Sequence, residues 1–94
     1  MKIQISCINK SDRYSAHERI NHCGGLINGQ RWRKTQQQVV SEIDSHTNQY
    51  YVMVSGYREV GVIVATSQWG NRYIKTVEDG EMPNNLLSLS ECPQ

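Results

Sequence analysis

Apolar and polar residues alternate over residues 2–8, which puts Ile3, Ile5 and Cys7 on one side of an extended segment and predicts a first strand. Residues 9–14 are polar and read as a connection. Ser15-Ala16-His17-Glu18 then has the spacing of a capping box, and Ala16, Ile20 and Cys23 recur at helical intervals. A first helix of about two turns is expected there, held by tertiary contacts, leaving through Gly24-Gly25. Asn28-Gly29 signals a tight turn. A second cap stands at Thr35, three residues before Gln38, and Gln36, Val39, Val40 and Ile43 line one stripe of a helix that runs to about Ser45. Three alternating runs follow, over 50–55, 60–66 and 72–77, with links short enough for an antiparallel meander.

These elements predict an α+β fold, in which the N-terminal strand and the three-strand meander form a small antiparallel sheet with two helices packed on one face. A C-terminal apolar hook over 84–92 closes the chain. The first strand is placed beside the meander, because an isolated strand leaves its amides unpaired. Val39, Val40 and Ile43 are expected to pack on Val52, Val54, Val62 and Val64. Ninety-four residues make one domain, 1–94, with no room for a second core.

Several segments together carry a family resemblance. The N-terminal strand has a cysteine in Ile5-Ser6-Cys7-Ile8, and His17-Glu18-Arg19-Ile20 leads to the Gly24-Gly25 pair. The Thr35-capped helix follows, and the tail contains Tyr73-Ile74-Lys75-Thr76, Asp79-Gly80 and Asn85-Leu86-Leu87-Ser88-Leu89. In this the chain resembles the small bacterial and viral proteins catalogued as domain of unknown function 3892. Members often carry Pro before the final Glu-Cys, where Ser90 stands here. The resemblance implies a fold and no established activity.

Composition narrows the picture further. No apolar run approaches the ~20 residues of a membrane span, and none near the start suits a signal peptide, so a cytoplasmic protein is expected. Cys7, Cys23 and Cys92 are an odd set with no close pair and read as reduced thiols. Net charge is +1, yet the chain up to Val40 is basic and the remainder acidic. That asymmetry can steer anions or complement itself between subunits, unless folding mixes the two halves.

Candidate chemistry is sparse. His22 and Cys23 are neighbours whose side chains diverge, so a Cys–His pair needs Cys7 or Cys92 near His17. His17 and His22 are five apart and no Cys-x-x-Cys knuckle exists, which argues against zinc. No nucleophile, base and oxyanion donor assemble by sequence, so neither an enzyme nor a cofactor protein is expected. The strongest feature is Arg31-Trp32-Arg33-Lys34 leading into Thr35 at a helix start. Guanidinium forks and free amides suit phosphate, and Trp32 can stack a ring or staple the core. Arg72, Tyr73 and Lys75 form a second polar set on the last strand, while Asp79 and Asn85 read as pins for the hook. The expected function is a non-catalytic module that binds or sequesters a phosphate-bearing, nucleotide-like molecule. The alternative is an assembly protein that pairs through Tyr-rich strands and free edges, and a symmetric homo-oligomer is expected. Nucleic acid is a weaker third partner, since charge is near balance and no recognised module is present.

Overall fold

The computed structural model describes residues 1–11, 19–54, 58–78, 80 and 84–93. In chain order the elements are β1 (Lys2–Gln4), β2 (Cys7–Lys10), β3 (Ile20–Ile27), β4 (Gln30–Thr35), α1 (Gln36–Asp44), β5 (Gln49–Val54), β6 (Arg58–Thr66), β7 (Arg72–Thr76), α2 (Asn84–Leu87) and β8 (Ser90–Glu91). They build two four-stranded sheets, ordered β1-β5-β6-β7 and β4-β3-β2-β8. The fold is therefore mostly β, which overturns the expected single sheet covered by two helices.

The N-terminal segment joins the sheets. β1 lies parallel to β5 at the edge of the meander, whereas β2 pairs antiparallel with β3. The Ile5 amide donates to the Tyr51 carbonyl and the next amide, Ser6, donates to Gly24, so the chain changes sheets between these two residues. As a result Ile5 and Ile8, three apart, are both fully buried in one core shared by the two sheets. The simple alternation expected over 2–8 breaks at that point.

The first expected helix is corrected most sharply. Its capping box, at Ser15 and Glu18, lies outside the described residues, but Ile20 and Cys23 belong to β3. Asn9 pairs with His22 and Lys10 with Ile20, so Asn21 is an extra residue in a β-bulge. The bulge turns Ile20 and Cys23 to the same side, and both are buried. A bulged strand thus reproduces the i, i+3 spacing that reads as helical. Gly24-Gly25 is no helix exit either. A Cβ on Gly24 would lie 2.7 Å from the Trp32 carbonyl oxygen, and one on Gly25 would lie 2.6 Å from that of Gln4, so both glycines allow close strand crossing.

Asn28 (φ 52°) and Gly29 (φ 81°) form the turn between β3 and β4, and both occupy the left-handed region that a two-residue hairpin turn needs. β4 runs straight into α1. Thr35 Oγ1 accepts from the Gln38 amide, while Gln38 Oε1 accepts from the Thr35 amide, so the capping box is complete. Val39 and Val40 are buried and Ile43 packs on the same core as Val52, Val54, Val62 and Val64. Gln36, also buried, donates to the Ile20 carbonyl at 2.9 Å and accepts from the Ile74 amide at 3.0 Å, which ties β3 to β7. Among the described residues no helix is long and apolar enough to cross a membrane.

At the C-terminus, α2 buries Leu86, and Asn85 Nδ2 donates to Thr76 Oγ1 at 2.9 Å. Asn85 therefore fastens the hook to β7, while Asp79 lies outside the described residues. β8 then pairs parallel to β2, Cys7 opposite Ser90 and Ile8 opposite Glu91. This register brings Cys7 and Cys92 to a Cα separation of 4.9 Å, and they form a disulfide across 85 positions of sequence. The expectation of three reduced thiols fails, because a parallel closing strand joins residues from opposite ends. Cys23 alone is free and buried. The cytoplasmic expectation loses the support that it drew from cysteine usage.

Candidate functional site

Strand alternation divides β4 between two faces. Arg31, Arg33 and Thr35 point away from the core, and Trp32 and Lys34 point toward it. The register extends this division across the sheet. Arg33 lies opposite Gly24, which lies opposite Cys7, and Arg31 lies opposite Leu26. One outer row therefore carries Arg33, Gly24 and the Cys7–Cys92 disulfide, and the next carries Arg31 and Leu26.

Between these rows Ser6 and Trp32 also line the space, and Gly25 has no side chain to fill it. The result is a half-open hollow of about 320 Å³ on the outer face, reaching to Pro93. We call it the trough. A Cβ at Gly24 would lie 3.0 Å from each disulfide sulfur, so the missing side chain lets the disulfide settle against the sheet. Leu26 is 61% exposed, and Arg31 and Arg33 are exposed as well. Among the described residues no carboxylate lies within ion-pair distance of Arg31 or Arg33. The arrangement offers two guanidinium groups without an ion-pair partner among the described residues, beside an apolar wall, which suits an anion with an apolar portion.

The remaining nominated residues are engaged elsewhere. Lys34 Nζ donates to both Glu42 carboxylate oxygens at 2.9 Å. Glu42 Oε1 also accepts from Tyr50 Oη at 2.5 Å and Asn48 Nδ2 at 2.8 Å. The Trp32 ring stands 5.7 Å from the Tyr50 ring, with Lys34 Nζ 5.9 Å from its own centroid. Trp32 thus packs its ring beside Tyr50 in the half-buried interior while also lining one side of the trough. Thr35 caps α1, and its capping box takes up the Gln38 and Thr35 amides at the helix start. Arg72 grips Asp44 through two hydrogen-bonding nitrogens, Nη1 at 2.7 Å and Nη2 at 2.8 Å. Lys75 donates to the Thr76 carbonyl, and Tyr73 is buried. These three sit on β7 in the other sheet and do not join the trough.

Ion pairs also show what became of the charge asymmetry. Lys2 pairs with Glu59, Lys34 with Glu42 and Arg72 with Asp44, so two basic residues of the first half are neutralised by the second. Among the described residues no group of three His, Cys, Asp or Glu is placed to hold a metal ion. His22 stands on the outer face of β3 and Cys23 on the inner, so they cannot act as a pair. A second hollow, of about 480 Å³, lies between Lys2, His46, Tyr51 and Glu59, but its cation and carboxylate already pair with each other.

The Glu42 cluster carries its own prediction. Burial pushes the carboxyl upward, but hydrogen bonds from Tyr50 and Asn48 and the Lys34 charge outweigh it and hold Glu42 below the usual range. A group depressed in the folded state stabilises the protein above its unfolded pKa, about 4.3, and that contribution is lost as pH falls through the folded pKa. Glu42→Gln is therefore expected to be less stable than the native protein at neutral pH, with the difference shrinking below about pH 4. Urea midpoints measured from pH 7 to 3 check this, and a constant gap across that range contradicts it.

The residues that sequence reasoning missed are Leu26, Gly25, Pro93 and the disulfide. Only the cysteine positions, one in the first strand and one in the closing segment, gave a usable signal. The family model for proteins of unknown function DUF3892 matches residues 4–90 of the chain. No curated protein and no solved structure matches it.

Proposed function

The chain belongs to the DUF3892 family of proteins of unknown function, and from that premise we propose that it is a non-catalytic binding module for a small organic anion. The trough is its site. The observation that carries this reading is the pair Arg31 and Arg33, two residues apart on an edge strand, both exposed, without carboxylate partners among the described residues, and facing Leu26 and a disulfide. Cations kept only for solubility have no need of a shared hollow with an apolar wall.

Phosphate and carboxylate both match a guanidinium fork, and a nucleotide-like phosphate is the first class to test. The apolar part of the ligand meets Leu26, Pro93 and the disulfide, so an aliphatic or sugar-like body fits better than a flat ring demanding a stacking partner. Calorimetry against nucleoside mono- and diphosphates and cyclic nucleotides is expected to find a binder. Arg31→Ala and Arg33→Ala should each weaken it by roughly ten- to a hundredfold, the scale of one charge-assisted contact. Binding that survives both substitutions unchanged would place the site elsewhere, and no binding to any of these anions would remove the reading.

A second reading has one observation behind it. Ile63, Val77 and Met53 are exposed together on the outer face of the other sheet, where they offer an apolar patch for self-assembly. Light scattering that returns a dimer mass, together with failure of every nucleotide titration, would bring assembly to the front.

A further inference from the structure

We propose that the Cys7–Cys92 disulfide is a thiol-operated latch, which holds the C-terminal strand closed over one end of the trough and releases it on reduction. The inference deepens the binding reading by giving the site a regulator, yet its central claim, tail release, stands on separate observations.

The first observation is how little else holds the tail. β8 contributes two paired residues, and beyond it the Cys92 amide donates to the Ile8 carbonyl at 3.1 Å. Asn9 Nδ2 adds a long contact of 3.4 Å to the Cys92 carbonyl. Ser88, Ser90, Glu91 and Pro93 are exposed. The core anchor is Leu86, fully buried and upstream, with Asn85 bound to Thr76 beside it. Residues 88–93 can therefore lift away at the expense of these few hydrogen bonds and the Leu89 and Cys92 contacts, leaving α2 and the other seven strands packed. Segments with few buried contacts and a short ladder open first.

The second observation is access. Cys7 and Cys92 both line the half-open trough, Cys7 is half-buried and Cys92 is 6% exposed. A small thiol thus approaches the Cys7 sulfur first. Its thiolate attacks Cys7 Sγ and forms a mixed disulfide. The Cys7–Cys92 bond breaks, and its electron pair leaves on Cys92 Sγ, which takes a proton from water. A second thiol then attacks the mixed disulfide, releasing Cys7 as a thiol and the reductant as its own disulfide. Two thiols are oxidised and one protein disulfide is reduced. Arg31 and Arg33 on the rim favour a reductant that carries carboxylates.

The third observation is that no other cysteine competes. Cys23 is fully buried on the opposite face of β3, and burial pushes its thiol up to about 12. The latch closes on one pairing only.

Hydrogen exchange read by mass spectrometry tests this on the full chain, oxidised and then treated with dithiothreitol, with thiols counted in each sample. On reduction, exchange over residues 88–93 should accelerate by about tenfold or more, as for a locally released segment. β6 and β7 should still open only with the whole domain and stay far slower to exchange than the tail, and re-oxidation should restore the tail. Cys7→Ser should show the fast tail without reductant, and Cys23→Ala should respond like the native chain. A tail equally protected with three free thiols overturns the latch. So does a tail that exchanges after reduction at the same rate as β6 and β7, because it then opens only with the whole domain. The same samples titrated with adenosine diphosphate separate the two ideas. A latch acting on the site predicts weaker binding after reduction, and equal affinity in both states overturns that action. Binding to neither state, with the tail responding as described, removes the nucleotide reading while supporting the latch.

Discussion

Reducing the Cys7–Cys92 disulfide, or replacing Cys92 by Ser, is expected to lower the free energy of unfolding by about 3–4.5 kcal/mol. The link closes a loop of 85 positions, so nearly the whole unfolded chain is constrained by it. Loop-closure entropy grows only with the logarithm of loop length, which puts a link of this span near the top of the range for one disulfide. For a domain of this size such a loss corresponds to a melting temperature lower by roughly 15–30 °C. The native state survives it, since small domains hold about 5–15 kcal/mol. Urea unfolding of oxidised and reduced samples measures the difference directly. A change under about 1 kcal/mol would mean that the unfolded chain gains almost no freedom from the cut.

The second large effect is expected at Gln36. Its side chain is the link by which α1 joins the two sheets, donating to Ile20 and accepting from the edge-strand amide of Ile74. Gln36→Ala leaves a buried carbonyl and a buried amide without that partner, at about 1–3 kcal/mol each, and opens a small void. A loss of about 2–5 kcal/mol is expected in all. Gln36→Glu separates the two contributions. It keeps the volume and can still accept from Ile74, but its ionised oxygen faces the Ile20 carbonyl that needs a donor. The Glu variant should therefore recover stability as pH falls and the carboxyl gains a proton, whereas the Ala variant should not. Parallel urea titrations at pH 7 and pH 4 decide it, and equal behaviour of the two variants would contradict the assigned bonds.

Gln36 also illustrates what was legible in the sequence. Local signals carried the helix from the Thr35 cap to Ile43, the Asn28-Gly29 turn and the three strands of the meander, because each depends on residues near one another. The mistakes arose where distant residues decide the geometry. Ile20 and Cys23 have helical spacing because a bulge set by β2 turns both inward. β4 was hidden because its outward positions are Arg31, Arg33 and Thr35 and its inward Lys34 is neutralised by Glu42, so it shows no clean apolar alternation. Arg31 and Arg33 could be singled out as cations, but their companions could not. Leu26, Cys7 and Pro93 reach them only through cross-strand register and a closing strand at the other end of the chain.

The same sulfur–sulfur bond determines how the molecule carries tension. A pull applied outside residues 7 and 92 passes through the two sulfurs and bypasses everything between them. Among the described residues, the short pairing of β1 with β5 and the few bonds of residues 1–6 beside it lie in the path of the force. While the bond stands, residues 8–91 are withheld from extension, a hidden length of roughly 290 Å at about 3.4 Å per residue. Once it is cut, the load falls on the two-residue contact of β2 with β8, and that length becomes available to stretch. In a mechanical experiment the oxidised domain is a short, stiff link and the reduced one a long, compliant tether.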